Sequence, residues 1–386
     1  MAGGRWQVGV VLPDSLPFSD VVLAAELAEQ LGADSLWLTD HLRGIVHPAL
    51  AGEGGAAGEE RRSARLADPM SIAAALATRT TLPLGLAVTD GIRRAAADVA
   101  RNAVTLSHLT AGGFNLGIGA GEAMNLLPFG YPFDAPVGRL SSFLAELRTM
   151  LAVDAADGGG GTSPGPADSV PRLRLWLAGH GPRMLRLTGV YAHGWLPAWP
   201  MSADEYSSKR EVVAASASAA GRPAPESGLF ANVLVGSSRD EVLGALDADP
   251  LTKLRALAAP GWLWSTHGVD HPGGPSSRGY VDLLVHELDV DELRALAPRI
   301  PAALFADWWF VGSVDDVIER LLSYRRAGCQ HVVLADASHG LAAAAPDFAS
   351  AARRRFADLV GALGSASVVA ADGAEAGQPA RESHPA

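Results

Sequence analysis

His41 stands at the end of a short apolar run, Ser35–Thr39, directly after Asp40, and its proton can move near neutral pH. A general acid, or an electrostatic partner for a bound cofactor, needs those properties; an ordinary histidine that satisfies a loop carbonyl has them too. Thr89-Asp90 follows a second run, Leu84–Val88. Gly117-Ile118-Gly119-Ala120-Gly121-Glu122 closes a third, Phe114–Ile118, with Asn125 close behind. Glycines at such a place let a flat ligand approach the backbone, and Glu122 is then a carboxylate held over it. The plainer alternative is a tight turn with Glu122 in solvent. The same glycines suggest a nucleotide- or methyl-donor-binding turn, but that turn opens a βαβ unit with an acidic residue about 20 positions on. Here the chain runs instead through LLPFGYPFDAP into a helix that begins near Val137.

A fourth position is Ala178-Gly179-His180-Gly181-Pro182-Arg183, a strand end in small residues with Pro placed to open a helix. Backbone N–H groups at such a start suit a phosphate, and Arg183 adds charge; an ordinary capped turn is the alternative. His267 and His271 have the i, i+4 spacing of two metal ligands on a helix face. Pro272 and the neighbouring glycines argue against a helix there, and no acidic third ligand is evident, so no metal is assigned. Trp262, Trp264, Trp308, Trp309 and Phe310 are candidates for an apolar pocket or for core packing.

The elements that must position these groups are readable from pattern. Strand-like runs fall at 7–12, 35–39, 84–88, 114–118, 173–178, 194–197, 229–235 and 331–334, most of them continuously apolar, as strands covered on both faces are. Helical stripes lie between them, at Val21, Ala24, Ala28 and Leu31, and at Val137, Leu140, Leu144, Leu147 and Leu151. Asp68-Pro69 marks a helix start, and capping-box spacings recur at Ser202/Glu205, Ser238/Glu241 and Ser313/Asp316. Strands alternating with helices predict an α/β fold, a single (β/α)8 TIM barrel over residues 1–363 with a helical insertion at about 237–308. A doubly wound open sheet is the second choice. Segments 51–65 and 154–170 are expected to be loops, and 364–386 a disordered tail.

Composition narrows the partners. The chain of 386 residues is 48% hydrophobic and 19% charged, which excludes whole-chain disorder. Its single cysteine, Cys329, excludes an internal disulfide and Cys-based metal centres. A formal net charge of -11 disfavours nucleic acid. No stretch approaches the ~18 to 20 apolar residues of a membrane span, and no basic leader precedes an apolar run. A soluble cytoplasmic protein acting on a small molecule is the expectation.

Taken jointly, GADSLWLTDHL (32–42), LGLAVTDGIRR (84–94), LSHLTAGGFNLGIGAGEAMNLLPFG (106–130), LWLAGHGPRMLRLTGVYAHGWLP (175–197) and FVGSVDDVIERLLSYRRAGCQHVVL (310–334) resemble the luciferase-like superfamily. Its members are TIM-barrel enzymes that use reduced FMN or the deazaflavin coenzyme F420. Asp40, His41, Glu122 and Asn125 match the acidic-His pair and GxGE(A)xN pattern of the deazaflavin branch. AGHGPRMLR, WSTHGVDHPGG and IPAAL are similar to the phthiodiolone ketoreductases within it. Ile45 replaces the tryptophan of sugar-phosphate members, which argues against that substrate.

The resemblance implies a reductase that moves a hydride from reduced F420 to a C=O, C=C or C=N bond of a specialised metabolite. It implies His41 as proton donor, Glu122 as second candidate and Asp40 as the group that orients His41 and borders the cofactor. Thr89, Gly119, Ala120, Gly121 and Asn125 would hold the ring side, backed by a cis peptide near Leu86-Ala87. Ala178, Gly179, His180, Gly181 and Arg183 would hold the phosphate and tail. A homodimer is also implied. An FMN-dependent monooxygenase and a non-catalytic flavin-binding barrel are the alternatives.

Overall fold

The computed structural model describes residues 6–50, 66–157, 173–198, 200–342 and 344–365. The expected loop at 51–65 and the tail from 366 lie outside the described residues. The loop expected from Asp154 starts later, because helix Pro136–Asp157 continues through the good helix formers Ala155 and Ala156; its remainder, 158–170, is also outside.

Ten strands form in chain order: β1 (Gln7–Val11), β2 (Ser35–Leu38), β3 (Leu84–Leu86), β4 (Thr89–Asp90), β5 (Phe114–Gly119), β6 (Leu173–Leu177), β7 (Gly194–Trp195), β8 (Glu226–Val235), β9 (Phe310–Gly312) and β10 (His331–Asp336). They pair in parallel in the order β10-β1-β2-β3-β5-β6-β7-β8, and β8 returns to β10, so the sheet closes into a TIM barrel. The second choice, an open sheet, is thereby excluded. β3 and β4 are halves of one barrel strand. β3 pairs Leu84 with Phe114, β4 pairs Thr89 with Ile118, and a cis peptide at Ala87–Val88 lies between them, one residue beyond its expected place. β9 was not foreseen: Val233 of β8 faces Asp336 on one edge and Phe310 on the other, so β9 extends the wall beyond the short β7.

Large and small residues alternate across the barrel interior. Trp37 and Trp176 meet edge to face at 5.5 Å, and Gly9, Gly85, Gly194 and Gly228 on neighbouring strands leave the room: a Cβ on Gly9 would lie 2.5 Å from Trp37 Nε1 and one on Gly194 would lie 2.2 Å from the Trp176 ring. Ser35 and Asn115 accept the two indole N–H groups at 2.8 and 3.0 Å. This plug is fully buried, so the interior is a packed core rather than a pore.

The helical signals hold. Asp68 caps Pro69–Leu76 by accepting from the Ser71 N–H, Ser202 and Ser238 accept from Glu205 and Glu241, and Ser313 with Asp316 completes a full capping box. The insertion has a core of its own, built on Leu246, Leu254, Leu257, Trp264 and Phe305, into which Val46 and Leu50 from the segment after β2 also dock. It is thereby fastened to the loop that carries His41. Among the described residues no helix is long and apolar enough to cross a membrane.

Candidate active site

One cavity of about 1280 Å³ opens at the carboxyl ends of the strands, where functional groups of such barrels collect. Asp40, His41, Ala87, Thr89, Gly119, Ala120, Gly121, Glu122, Asn125, Ala178, Gly179, His180 and Gly181 all line it, so four segments far apart in sequence meet as expected. Two expected residues do not. Leu86 is fully buried on the helix-facing side of β3, because residues along a strand alternate and Ala87 takes the inward place. Arg183 is exposed at the second position of helix Pro182–Tyr191 and does not line the cavity. The cation on that wall is Lys209, which donates to the His180 carbonyl at 3.1 Å and pairs with Glu205 at 3.3 Å.

His41 keeps 38% of its side chain exposed to the cavity mouth, and its Nε2 lies 3.7 Å from Glu122 Oε2. Asn125 holds this pair in place. Its Oδ1 accepts from the Leu42 and Arg43 N–H groups at 2.8 and 3.0 Å, and its Nδ2 donates to Glu122 at 2.8 Å. One side chain thus ties the loop after β2 to the turn after β5. Asn125 is a positioning residue as well as a lining one.

Asp40 has a different place from the one expected. Its carboxylate accepts from Thr89 at 2.6 Å and from Arg93 at 2.9 Å, while the carboxylate beside the His41 imidazole is that of Glu122. Arg93 reaches Asp90 with its Nε and the Asp40 carbonyl at 3.0 Å with its Nη2, so one buried guanidinium fork joins the ends of two strands. Burial by itself would lower the Arg93 pKa, but Asp40 and Asp90 raise it above its ordinary value. Nothing in the local sequence distinguishes Arg93 from half-buried Arg94 next to it, which pairs with Asp68 instead.

His180 sits deep in the opposite wall. Burial, and secondarily the charge of Lys209, push its imidazole from 6.5 down to about 3, so it is neutral near pH 7 and acts as a hydrogen-bonding group, not a cation. The folded chain refuses a proton that the unfolded chain accepts below 6.5. The stability this provides is therefore complete above that pH and declines as pH falls from 6.5 toward 3. Replacing His180 by Asn is expected to remove about 1.4 kcal/mol per pH unit from the slope of unfolding free energy across that window. Urea unfolding at a series of pH values checks this; an unchanged slope would show that His180 is protonated in the fold.

The remaining lining residues differ in how far the sequence signalled them, from Tyr280, which had no signal, to the tryptophans, which were pocket candidates. Tyr280, in a single turn of the insertion, lines the cavity, and burial together with the nearby charge of Glu122 raises its pKa. Trp262, Trp308 and Trp309 line it too, whereas Trp264 is fully buried in the insertion core. Lys209 carried a faint signal, being one of only two lysines and four residues from Glu205. His267 and His271 share no helix face, because the helix ends at Thr266. His267 pairs with Asp307 at 2.9 Å, and His271 bonds the Leu257 carbonyl against the Trp264 ring.

Comparison with known proteins agrees with this architecture. The chain is 34% identical over 347 residues to a phthiodiolone/phenolphthiodiolone dimycocerosates ketoreductase of Mycobacterium tuberculosis, across 85% of this chain and 89% of that protein. Its fold is similar to an F420-dependent secondary alcohol dehydrogenase solved with an F420-acetone adduct, with TM-score 0.63, 17% identity, and 89% and 99% of the two chains covered. It is likewise similar to a riboflavin lyase solved with modified FMN and riboflavin, with TM-score 0.59, 15% identity, and 92% and 90% covered. The family model for luciferase-like monooxygenases matches residues 5–331, and the chain belongs to that family.

Proposed function

We propose that this protein is a coenzyme F420-dependent reductase that delivers a hydride to an electrophilic C=O, C=C or C=N bond of a specialised metabolite, with a ketone carbonyl the first choice. The observation that carries this reading is the His41–Glu122 pair, 3.7 Å apart at the mouth of the cavity, where a proton donor for the reduced product is needed. The 34% identical relative is named as a ketoreductase, which supports the same choice of acceptor.

The residues present fit a flat ring joined to an anionic tail. Ala87, Gly119, Ala120 and Gly121 make one wall with almost no side chain; a Cβ on Gly119 would come 3.1 Å from Val88, and Gly121 has φ +84. After the adjacent strand β6, Gly181 precedes the N-terminus of helix Pro182–Tyr191, and a Cβ there would meet nothing within 4 Å. With Lys209 beside it, that end suits phosphate and carboxylate groups. When bound, the reduced deazaflavin supplies the hydride. His41, with the Glu122 carboxylate beside it, gives a proton to the acceptor atom as negative charge develops there. Asn125 keeps both groups in register. Thr89, Asp40 and Arg93 hold the shape of the strand ends beneath them.

Equilibrium titration with coenzyme F420 and, separately, with FMN, followed by fluorescence, tests the reading. Tighter binding of F420 by at least about tenfold, or 1.4 kcal/mol, is expected. Selective FMN binding would overturn it in favour of an oxygen-dependent monooxygenase.

A further inference from the structure

The active-site cavity does not end over the barrel. It continues across the rim at Pro13, Asp14 and Asp336 into a cleft outside the barrel, between helix Phe18–Gln30 and helix Pro346–Gly364. Ala24, Ala28 and Leu31 form one wall, Phe356, Ala357 and Val360 the other, and Val10 on the outer face of β1 the floor. All of these are apolar, and the one charged side chain on these helices that lines it, Arg353, stands at the mouth near Asp336. The far end is blind: a Cβ on Gly361 would lie 3.9 Å from Leu31, and one on Gly364 would lie 3.0 Å from the Gly32 carbonyl. From Ala24 to Leu31 the cleft is roughly 10 Å long at the helical rise.

We infer that this cleft is a subsite for an unbranched alkyl chain of the substrate. Its mouth adjoins the catalytic loop, since Asp14 accepts from Thr39 at 2.8 Å, two residues before His41. In the barrel order β1-β2-β3-β5-β6, the cleft at β1 lies opposite the polar cradle after β6. The anionic tail and the apolar chain therefore leave the reaction site in opposite directions. A partner's helix, about 10 Å across, needs an open-ended groove. An extended peptide would bring backbone N–H and C=O groups that these walls cannot pair. An alkyl chain has neither requirement, and it would cover Leu27, which lines the cleft and is 50% exposed. The identity of the group that bears the chain rests on the reductase reading; the presence of the cleft does not.

The test is binding of methyl n-alkyl ketones from butanone to decanone, measured by calorimetry without cofactor, so that its outcome is separate from the choice of F420 or FMN. Affinity is expected to rise roughly three- to fourfold per methylene and then level off when the chain reaches the blind end. Ala24→Phe and Ala357→Phe, which narrow the two walls, should bring the plateau to shorter chains while leaving butanone binding unchanged. Leu27→Glu at the exposed lip is a third variant with little risk to folding, and should weaken decanone at least tenfold with no effect on butanone. A chain-length dependence that all three variants leave intact would place the chain elsewhere and overturn the proposal. So would sedimentation showing that Leu27→Glu dissociates a dimer while ketone binding stays as it was, because the occupant would then be a second copy.

Discussion

Replacing His41 by alanine is expected to lower turnover by about 10²- to 10⁴-fold, the usual worth of a positioned general acid, while cofactor affinity changes by no more than a few-fold. The imidazole projects into the mouth of the cavity and the neighbouring carboxylate is Glu122, whose other partner is Asn125. Removing the imidazole would delete the proposed proton source without disturbing the wall of small residues that follows β3 and β5. Glu122→Gln should be milder, since it removes the carboxylate 3.7 Å from the imidazole but keeps a side-chain oxygen that can accept from Asn125. Both effects are read from oxidation of the reduced cofactor with any acceptor the enzyme turns over. Unchanged turnover in His41→Ala would remove this residue from the chemistry and leave Tyr280 as the proton-bearing side chain to examine.

The second large effect is on stability. Arg93→Met is expected to cost about 3–5 kcal/mol, because it strands the carboxylates of Asp40 and Asp90 in a buried setting. Only 6% of the Arg93 side chain and 3% of that of Asp40 are exposed, so solvent cannot take over the lost pairing. Asp90 retains the Ile92 and Arg93 N–H groups at 2.8 Å, and Asp40 retains Thr89 at 2.6 Å with Arg94 at 3.8 Å, which limits but does not abolish the penalty. Arg93→Lys should recover part of the loss, since an ammonium restores charge but not the fork that reaches Asp90, the Asp40 carboxylate and the Asp40 carbonyl together. Adding Asp40→Asn and Asp90→Asn to Arg93→Met should recover more, by removing the stranded charges. Denaturant unfolding of the four proteins measures this. A loss below about 1 kcal/mol in Arg93→Met would mean that the triad is solvated in the native state.

Much of the fold was legible because its signals are local. The continuously apolar runs became strands covered on both faces, and the Ser and Asp caps at 68, 202, 238 and 313 formed, since each needs only residues within four positions. The grouping of His41, Glu122, Asn125 and Gly179–Gly181 followed from one further rule, that strand ends share one face of a barrel.

Tertiary structure decided what depends on side-chain direction and on contacts distant in sequence. Strand alternation sent Leu86 away from the cavity and Ala87 into it. The helix surface turned Arg183 outward and left the wall to Lys209, which reaches it from the next helix. Asp40 went to Thr89 and Arg93, partners 49 and 53 residues away. Tyr280 entered the site from an insertion whose placement depends on its own core. The apolar cleft exists only because the first and last helices lie side by side when the barrel closes. No local pattern records such meetings, because they arise from closing the whole chain and not from the preferences of any one segment.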